Sequence, residues 1–287
     1  MRTAAVTPRQ PRYPLLLLPA AGLLAPFYVA LVIIAGVSLV DYPGIRTGTF
    51  VITAANYQAA LLDSFHLAVL IRTIVIGLVV GVLSAVMATP MAFAIVRTRR
   101  RSVRVLLTLF TIIPFLVNAL VRVFAWTTVL GREGFLNYSL IGLGLVETPT
   151  SFLRTDVAVV IGQLYFVLPF AIIAITALMS KLSENIEHAA SILGATPWQT
   201  FFRITLPLLM PAIFSAGLLA YALSVSAFVV PLVLGGDQYK MYSNLIYDQI
   251  TFSGDYGLAA AMAVVLLVVS VVLAQGARLF LTTATGR

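Results

Sequence analysis

The chain has 287 residues, of which 61% are hydrophobic and 10% charged, with a formal net charge of +8. A soluble domain carries about 25% charged residues, so this is the composition of an integral membrane protein. Cysteine is absent, which excludes disulfides, thiolate metal sites and thiol nucleophiles. His66 and His188 are too far apart in sequence to argue for a metal site, and there is no GxxxxGK[ST] phosphate loop.

The first apolar run follows Arg2, Arg9 and Arg12, and no charge occurs from Tyr13 to Val40. A secretory signal core runs about 7–15 residues and a spanning helix needs about 20, so the run reads as a retained transmembrane helix. Five more apolar stretches follow. The expected spans are 14–40, 67–96, 103–130, 156–180, 206–234 and 256–277. All must be helical, because an open strand in lipid leaves its backbone polar groups unpaired. No long soluble segment or internal repeat divides residues 1–287, which read as a single transmembrane domain.

Charge orients the spans. The N-terminus, the 97–104 loop, the 181–205 loop and the C-terminus together hold twelve basic residues against Glu184 and Glu187, whereas the rest holds six basic and eight acidic residues. The positive-inside rule then places both termini in the cytoplasm. Topology accounts for the basic excess, so nucleic-acid binding is not implied. The Arg97–Arg104 cluster also suits anionic lipid headgroups.

Span two carries Gly77, Gly81 and Ala85, and span five carries Ala212, Ala216, Ala220 and Ser224. Small residues at this spacing let helices approach closely in lipid. Prolines at 90, 114, 169, 207, 211 and 231 imply kinks or breaks, since each removes a helix hydrogen bond. Arg72 and Arg122 fall within the outward thirds of spans two and three. Each either snorkels to the headgroups or, for Arg122, faces a water-filled pathway or a carboxylate near the outer surface.

Residues 182–211, LSENIEHAASILGATPWQTFFRITLPLLMP, interrupt the apolar pattern. Ser183 is a good N-cap, with Glu184 and Glu187 in the first turn. Ile186, Ala189, Ala190 and Leu193 give one apolar face, and Gly194 can take the left-handed conformation that ends a helix. Thr196, Pro197 and Gln199 match a second start with a capping box. Trp198, Phe201 and Phe202 share a face, and Pro207 and Pro211 mark the entry to span five. The segment reads as helix, glycine turn and second helix on the cytoplasmic surface. It is either a docking piece for a soluble partner or a plain interfacial helix.

The stretch EHAASILGATPWQTFFRITLPLLMPAI resembles the EAA loop of the membrane subunits of ATP-binding-cassette importers, with Ala189, Ala190, Gly194, Ala195, Phe201, Leu206, Pro207 and Pro211 at the family's spacing. His188 stands where that motif usually has its glutamate, and Glu187 is one position early. IPFLVNALVRVFAWTTVLGREGFLN (113–137) and SAFVVPLVLGGDQYKMYSNLIYDQI (226–250) resemble the spermidine/putrescine permease branch. The resemblance implies an all-α membrane protein of six transmembrane helices with the type I importer (MetI-like) permease fold, in a bacterial inner membrane. It implies a second permease subunit, two cytoplasmic ATPase subunits that bind ATP and Mg, and an extracytoplasmic solute-binding protein. The chain itself would be non-catalytic and hold no cofactor. The implied ATPase-coupling loop comprises Glu187, His188, Ala189, Ala190, Gly194, Ala195, Thr196, Phe201 and Pro207.

The implied solute is a polyamine, or another small amine or amino-acid-like molecule. No acidic residue lies near mid-membrane to hold a polycation. The candidate pathway residues are Arg122, Trp126, Tyr165, Tyr221 and Ser224, where aromatic faces can attract a cation weakly. Each aromatic is equally compatible with helix packing. An autonomous carrier would call for a charged pair at depth, which the sequence lacks; a membrane scaffold is the other alternative.

Overall fold

The computed structural model describes the backbone of residues 14–41, 48 and 51–284, with side chains over 22–41, 48 and 51–279. Arg2, Arg9, Arg12, Arg46 and Arg287, part of the charge count above, lie outside the described residues.

Twelve helices are named in chain order: α1 (Pro14–Val37), α2 (Ala55–Leu62), α3 (Ser64–Arg97), α4 (Arg101–Leu116), α5 (Ala119–Leu130) and α6 (Phe135–Gly142), then α7 (Asp156–Met179), α8 (Glu184–Ile192), α9 (Pro197–Thr200), α10 (Leu206–Val225), α11 (Tyr242–Asp248) and α12 (Tyr256–Ala284). Three π-helical turns, Phe201–Thr205, Pro231–Gly235 and Gln249–Ser253, sit between them. Among the described residues the only extended pairing is an isolated antiparallel bridge between Val40 and Ile52.

The centre is a three-helix core of α3, α7 and α10. The span-two stripe meets α10 at Gly217, Tyr221 and Val225, one position on from the expected Ala212–Ser224 stripe. A Cβ on Gly81 would lie 2.9 Å from the Gly217 carbonyl oxygen, and one on Gly217 would lie 3.3 Å from that of Gly81. Ala212, Ala216, Ala220 and Ser224 are all buried. Without a hydrophobic drive between helices in lipid, such backbone proximity is what holds them together. Helix α7 covers one side with Ala171, Ile172 and Ile175 against Ala88, Ala92 and Ala216. On the other flank, α2 and α11 pack with α3 and α12 through Ala60, Val69, Leu70, Tyr242 and Met262.

Two expected spans are corrected. The 103–130 stretch is not one helix: its axis turns by 103° between Arg101–Leu116 and Ala119–Gly142. Pro114 removes a hydrogen bond from the last turn of α4, Val117 is extended, and the Asn118 side chain caps α5 by accepting from the Leu120 amide at 2.8 Å. The 206–234 stretch ends early and begins early. Its helix stops at Val225, and on the other side α9, the π turn and α10 form one continuous rod, Pro197–Val225. The second half of the polar segment is therefore the first part of that rod, not a separate surface helix. Among the described residues, four unbroken helices are long and apolar enough to cross a membrane, and the bent pair makes a fifth if counted as one span. Helix α1, with 24 residues, occupies the expected first span.

The chain from 227 to 255 folds back instead of continuing α10. Its freed backbone groups are met by side chains: Ser243 Oγ donates to the Ala227 carbonyl at 2.6 Å and Asn244 Nδ2 to that of Phe228 at 3.0 Å. The Tyr242 amide donates to Thr73 Oγ1 at 2.8 Å, and its hydroxyl to the Ala60 carbonyl at 3.1 Å. The irregular backbone is thus paired within the protein, as a bilayer would require of it.

Gly81→Leu is expected to cost about 1–3 kcal/mol by overpacking, seen as a lower unfolding temperature of the detergent-purified chain. Gly217→Ala, whose new methyl group meets looser contacts of 3.3–3.4 Å, is expected to cost less.

Candidate functional site

The two ends of the bundle carry different chemistry. At the end where α3 finishes, α8 and α9 form a bent arm. Ser183 caps α8 by accepting from the Asn185 amide at 3.3 Å. The helix closes at Gly194, which has φ +84°. The Ala195 amide donates to the Ala190 carbonyl at 3.0 Å and the Gly194 amide to that of Ser191 at 3.0 Å, the paired bonds of a Schellman ending. Thr196 then opens α9 with a complete capping box: its amide donates to Gln199 Oε1 at 2.9 Å and its hydroxyl accepts from the Gln199 amide at 3.3 Å.

The faces of this arm differ from the expected apolar stripe. Only Ala190 of α8 is buried, while His188 and Ala189 are exposed and Ile192 and Leu193 are 85% and 87% exposed. Trp198 stacks on Phe202, centroids 5.8 Å apart, and both face outward. Phe201 turns inward and meets Phe93 of α3 edge-on at 5.1 Å. Thr196 and Pro207 are exposed and Ala195 half-buried. The arm thus presents an unpartnered apolar surface, Ile192, Leu193, Trp198 and Phe202, around a sharp glycine corner.

Glu187 points the other way. Its carboxylate accepts from Arg97 Nε at 3.0 Å on both oxygens, from Arg97 Nη2 at 2.9 Å, and from Thr205 Oγ1 at 3.3 Å. In the sequence Arg97 reads as the first member of a basic cluster suited to lipid headgroups, whereas here it is engaged with Glu187; Thr205 carries no sequence signal for this contact.

At the opposite end, Arg72 lies 3.6 Å from Asp156, donates to the Gln238 carbonyl at 2.9 Å and sits over the Tyr239 ring. This pair borders a cleft of about 380 Å³ lined by Ile71, Val75, Ile76, Val79 and Val160. Lys240 bridges Asp237 at 2.9 Å and Asp248 at 2.8 Å. Its hydrogen bond to Asp237 leads the causes that raise the Lys240 pKa, and the same bond lowers that of Asp237.

The pathway candidates separate into two groups. Arg122 is half-buried over the Phe166 ring at 4.1 Å, and among the described residues it pairs with no carboxylate. Trp126 and Tyr165 meet edge-on at 5.6 Å, and Tyr165 meets Phe166 at 6.1 Å. These form a half-buried aromatic row between α5 and α7. Tyr221 and Ser224 instead lie in the helix core, 3% and 0% exposed. Ser224 Oγ donates to Gln163 Oε1, and the Gln163 amide is directed at the Met241 sulfur. Gln163, missed in the sequence, ties α7, α10 and the folded-back segment together.

The bundle of membrane-length helices packed on small residues, with an exposed, glycine-cornered arm at one end, fits a membrane subunit that docks a soluble partner. Residues 77–281 match the family model described as "Binding-protein-dependent transport system inner membrane component". The chain belongs to that family and is a multi-pass permease subunit of an ATP-binding-cassette importer. It is 33% identical over 219 residues to the spermidine/putrescine transport system permease protein PotB of Escherichia coli, covering 76% of this chain and 79% of that one. It is 32% identical over 264 residues to the molybdenum transport system permease protein ModB of Mycobacterium bovis, covering 90% and 92%. A solved bacterial ABC transporter involved in import of the acidic polysaccharide alginate has a chain that superposes with TM-score 0.71 at 20% identity, covering 93% of each; this likeness is one of fold.

Gly194→Ala adds no clash, since nothing lies within 4 Å of the new Cβ. The left-handed backbone alone is expected to cost about 1 kcal/mol, detected as faster amide exchange confined to residues 184–200.

Proposed function

We propose that this chain moves a polyamine-type cation inward, as one of two permease subunits served by two cytoplasmic ATPases and an extracytoplasmic binding protein. Both termini are cytoplasmic in this reading, and residues 1–287 act as a single transmembrane unit. ATP and Mg are bound by the ATPase subunits, not by this chain.

The observation that carries the proposal is the exposed arm. Ile192, Leu193, Trp198 and Phe202 project from two firmly capped helices at the basic end of the bundle. Apolar anchors on a rigid helix corner suit a groove in a soluble partner. With the carboxylate of Glu187 turned inward, His188 and Ala189 are the polar and small members of the docking face beside Ala195, Thr196 and the Gly194 corner. Phe201 and Pro207 join the arm to the span.

Polyamine is supported by the likeness to spermidine/putrescine permeases. The row of Trp126, Tyr165 and Phe166 offers ring faces to a cation, while Arg122, already seated on Phe166, repels a second charge there and keeps residence short. With no acid at mid-membrane, weak holding along the route leaves selection to the binding protein. Tyr221 and Ser224 contribute by setting the helix packing behind that row.

The test is uptake by proteoliposomes holding the full complex. ATP-dependent accumulation of spermidine or putrescine is expected. Uptake of molybdate or of an amino-acid-like amine, without polyamine, overturns the solute while leaving the importer. Transport by this chain alone without ATP overturns the proposal altogether. Leu193→Asp combined with Trp198→Ala is expected to reduce copurified ATPase by about tenfold or more.

A further inference from the structure

The arm is attached to the bundle by surprisingly little apolar contact. Helix α8 buries one residue, Ala190. Along the chain, the arm is joined to α10 through Gly194, whose φ is +84°, and through the π-helical turn Phe201–Thr205. A π turn closes on i→i+5 pairing, here from the Leu206 amide to the Phe201 carbonyl, instead of the i→i+4 pairing of the helices around it. A push on α8 carried only by the chain would have to turn the Gly194 corner and then run along the π turn.

A second connection bypasses them. Arg97 is the last residue of α3, so its charge also faces the negative end of that helix dipole. It holds Glu187 through Nε and Nη2 at 2.9–3.0 Å, and reaches the Leu182 carbonyl at 3.4 Å and Glu184 at 3.7 Å. The Arg97 side chain is 12% exposed and that of Glu187 is 23% exposed, so the pair is shielded from solvent more than a surface ion pair. Thr205 donates to the same carboxylate from the far side of the π turn. One carboxylate therefore joins α8, α3 and the entry to α10. The planar guanidinium fork resists rotation in a way a single ammonium contact does not.

We propose that Arg97 is a positioning residue for energy coupling: its clasp on Glu187 carries displacement of α8 directly into α3. Because α3 and α10 touch at Gly81 and Gly217, force entering α3 reaches the centre of the bundle without crossing the π turn. This inference rests on the docking role proposed above for the arm.

The experiment uses the assembled complex in proteoliposomes, reading ATP hydrolysed per solute imported together with ATPase retained on purification. Arg97→Gln and Glu187→Gln are each expected to retain the ATPase and to raise the ATP-to-solute ratio about tenfold. The double variant is expected to be no worse than either single one, because both remove the same contact. The exchanged pair R97E/E187R is expected to recover about half of the lost coupling. A wild-type ratio in Arg97→Gln, additive losses in the double variant, or loss of ATPase binding in the single variants overturns the proposal. If Arg97→Gln does not accumulate in the membrane, Arg97→Lys serves: an intermediate ratio supports the forked clasp and a wild-type ratio refutes it. A wild-type complex that never retains an ATPase defeats the docking reading instead, and is seen before any variant is made.

Discussion

The close approach of α3 and α10 at Gly81 and Gly217 is the constraint from which the rest of the bundle follows. In lipid, apolar side chains gain little by leaving one hydrocarbon environment for another, so helices must be held by surface fit. Glycine on both sides brings the backbones together and lets Tyr221 and Val225 pack over Gly77. Helix α7 then fills the remaining side with small and branched residues, and its Gly162 accepts Val230 and Leu234 of the folded-back segment. Bulk at any of these positions would push apart elements whose buried hydrogen bonds, such as Ser224 to Gln163 and Tyr242 to Thr73, depend on that approach.

Around that rigid centre the chain breaks wherever it leaves the three-helix core. Each break has a local chemical cause and a local repair. Pro114 and Asn118 end one helix and start another; Ser226 closes α10, and Ser243 and Asn244 take the carbonyls left behind. Such irregular backbone is tolerated only where protein supplies its partners. The bend at Pro114 and Asn118 sets Trp126 against Tyr165 of α7, and the folded-back segment sets Gln238 and Tyr239 against Arg72 of α3. The breaks thus bring groups from outside the core onto residues that the unbroken core helices already hold in place.

The sequence revealed the parts governed by local rules. The caps at Ser183 and Thr196, the Gly194 corner and the small-residue stripes each follow from neighbours within one or two turns, and the structure contains all of them. Pro114 is legible as a break, but the 103° turn also needs Val117 extended and Asn118 opening a new helix, so the apolar run reads in sequence as a single span. Trp198, Phe201 and Phe202 are adjacent in sequence, yet their division into outward and inward members depends on Phe93, more than a hundred residues away. Glu187 was legible as an acid in a helix's first turn. Its capture by Arg97, 90 residues earlier, was not, because no local pattern encodes which distant cation a carboxylate meets. The burial of Ser224 against Gln163 was hidden for the same reason.

The π turn Phe201–Thr205 has a geometric consequence of its own. It places a wider turn of backbone between the arm and α10, with the Leu206 amide reaching back to the Phe201 carbonyl. Each residue of a regular helix advances the chain by about 100° and 1.5 Å. The azimuth of Trp198 about the span is therefore set by one hydrogen-bond register, and a shift to α-helical pairing would swing the arm by roughly a quarter-turn. The direction in which this subunit presents its corner is thus a discrete variable, fixed by which carbonyl the Leu206 amide selects.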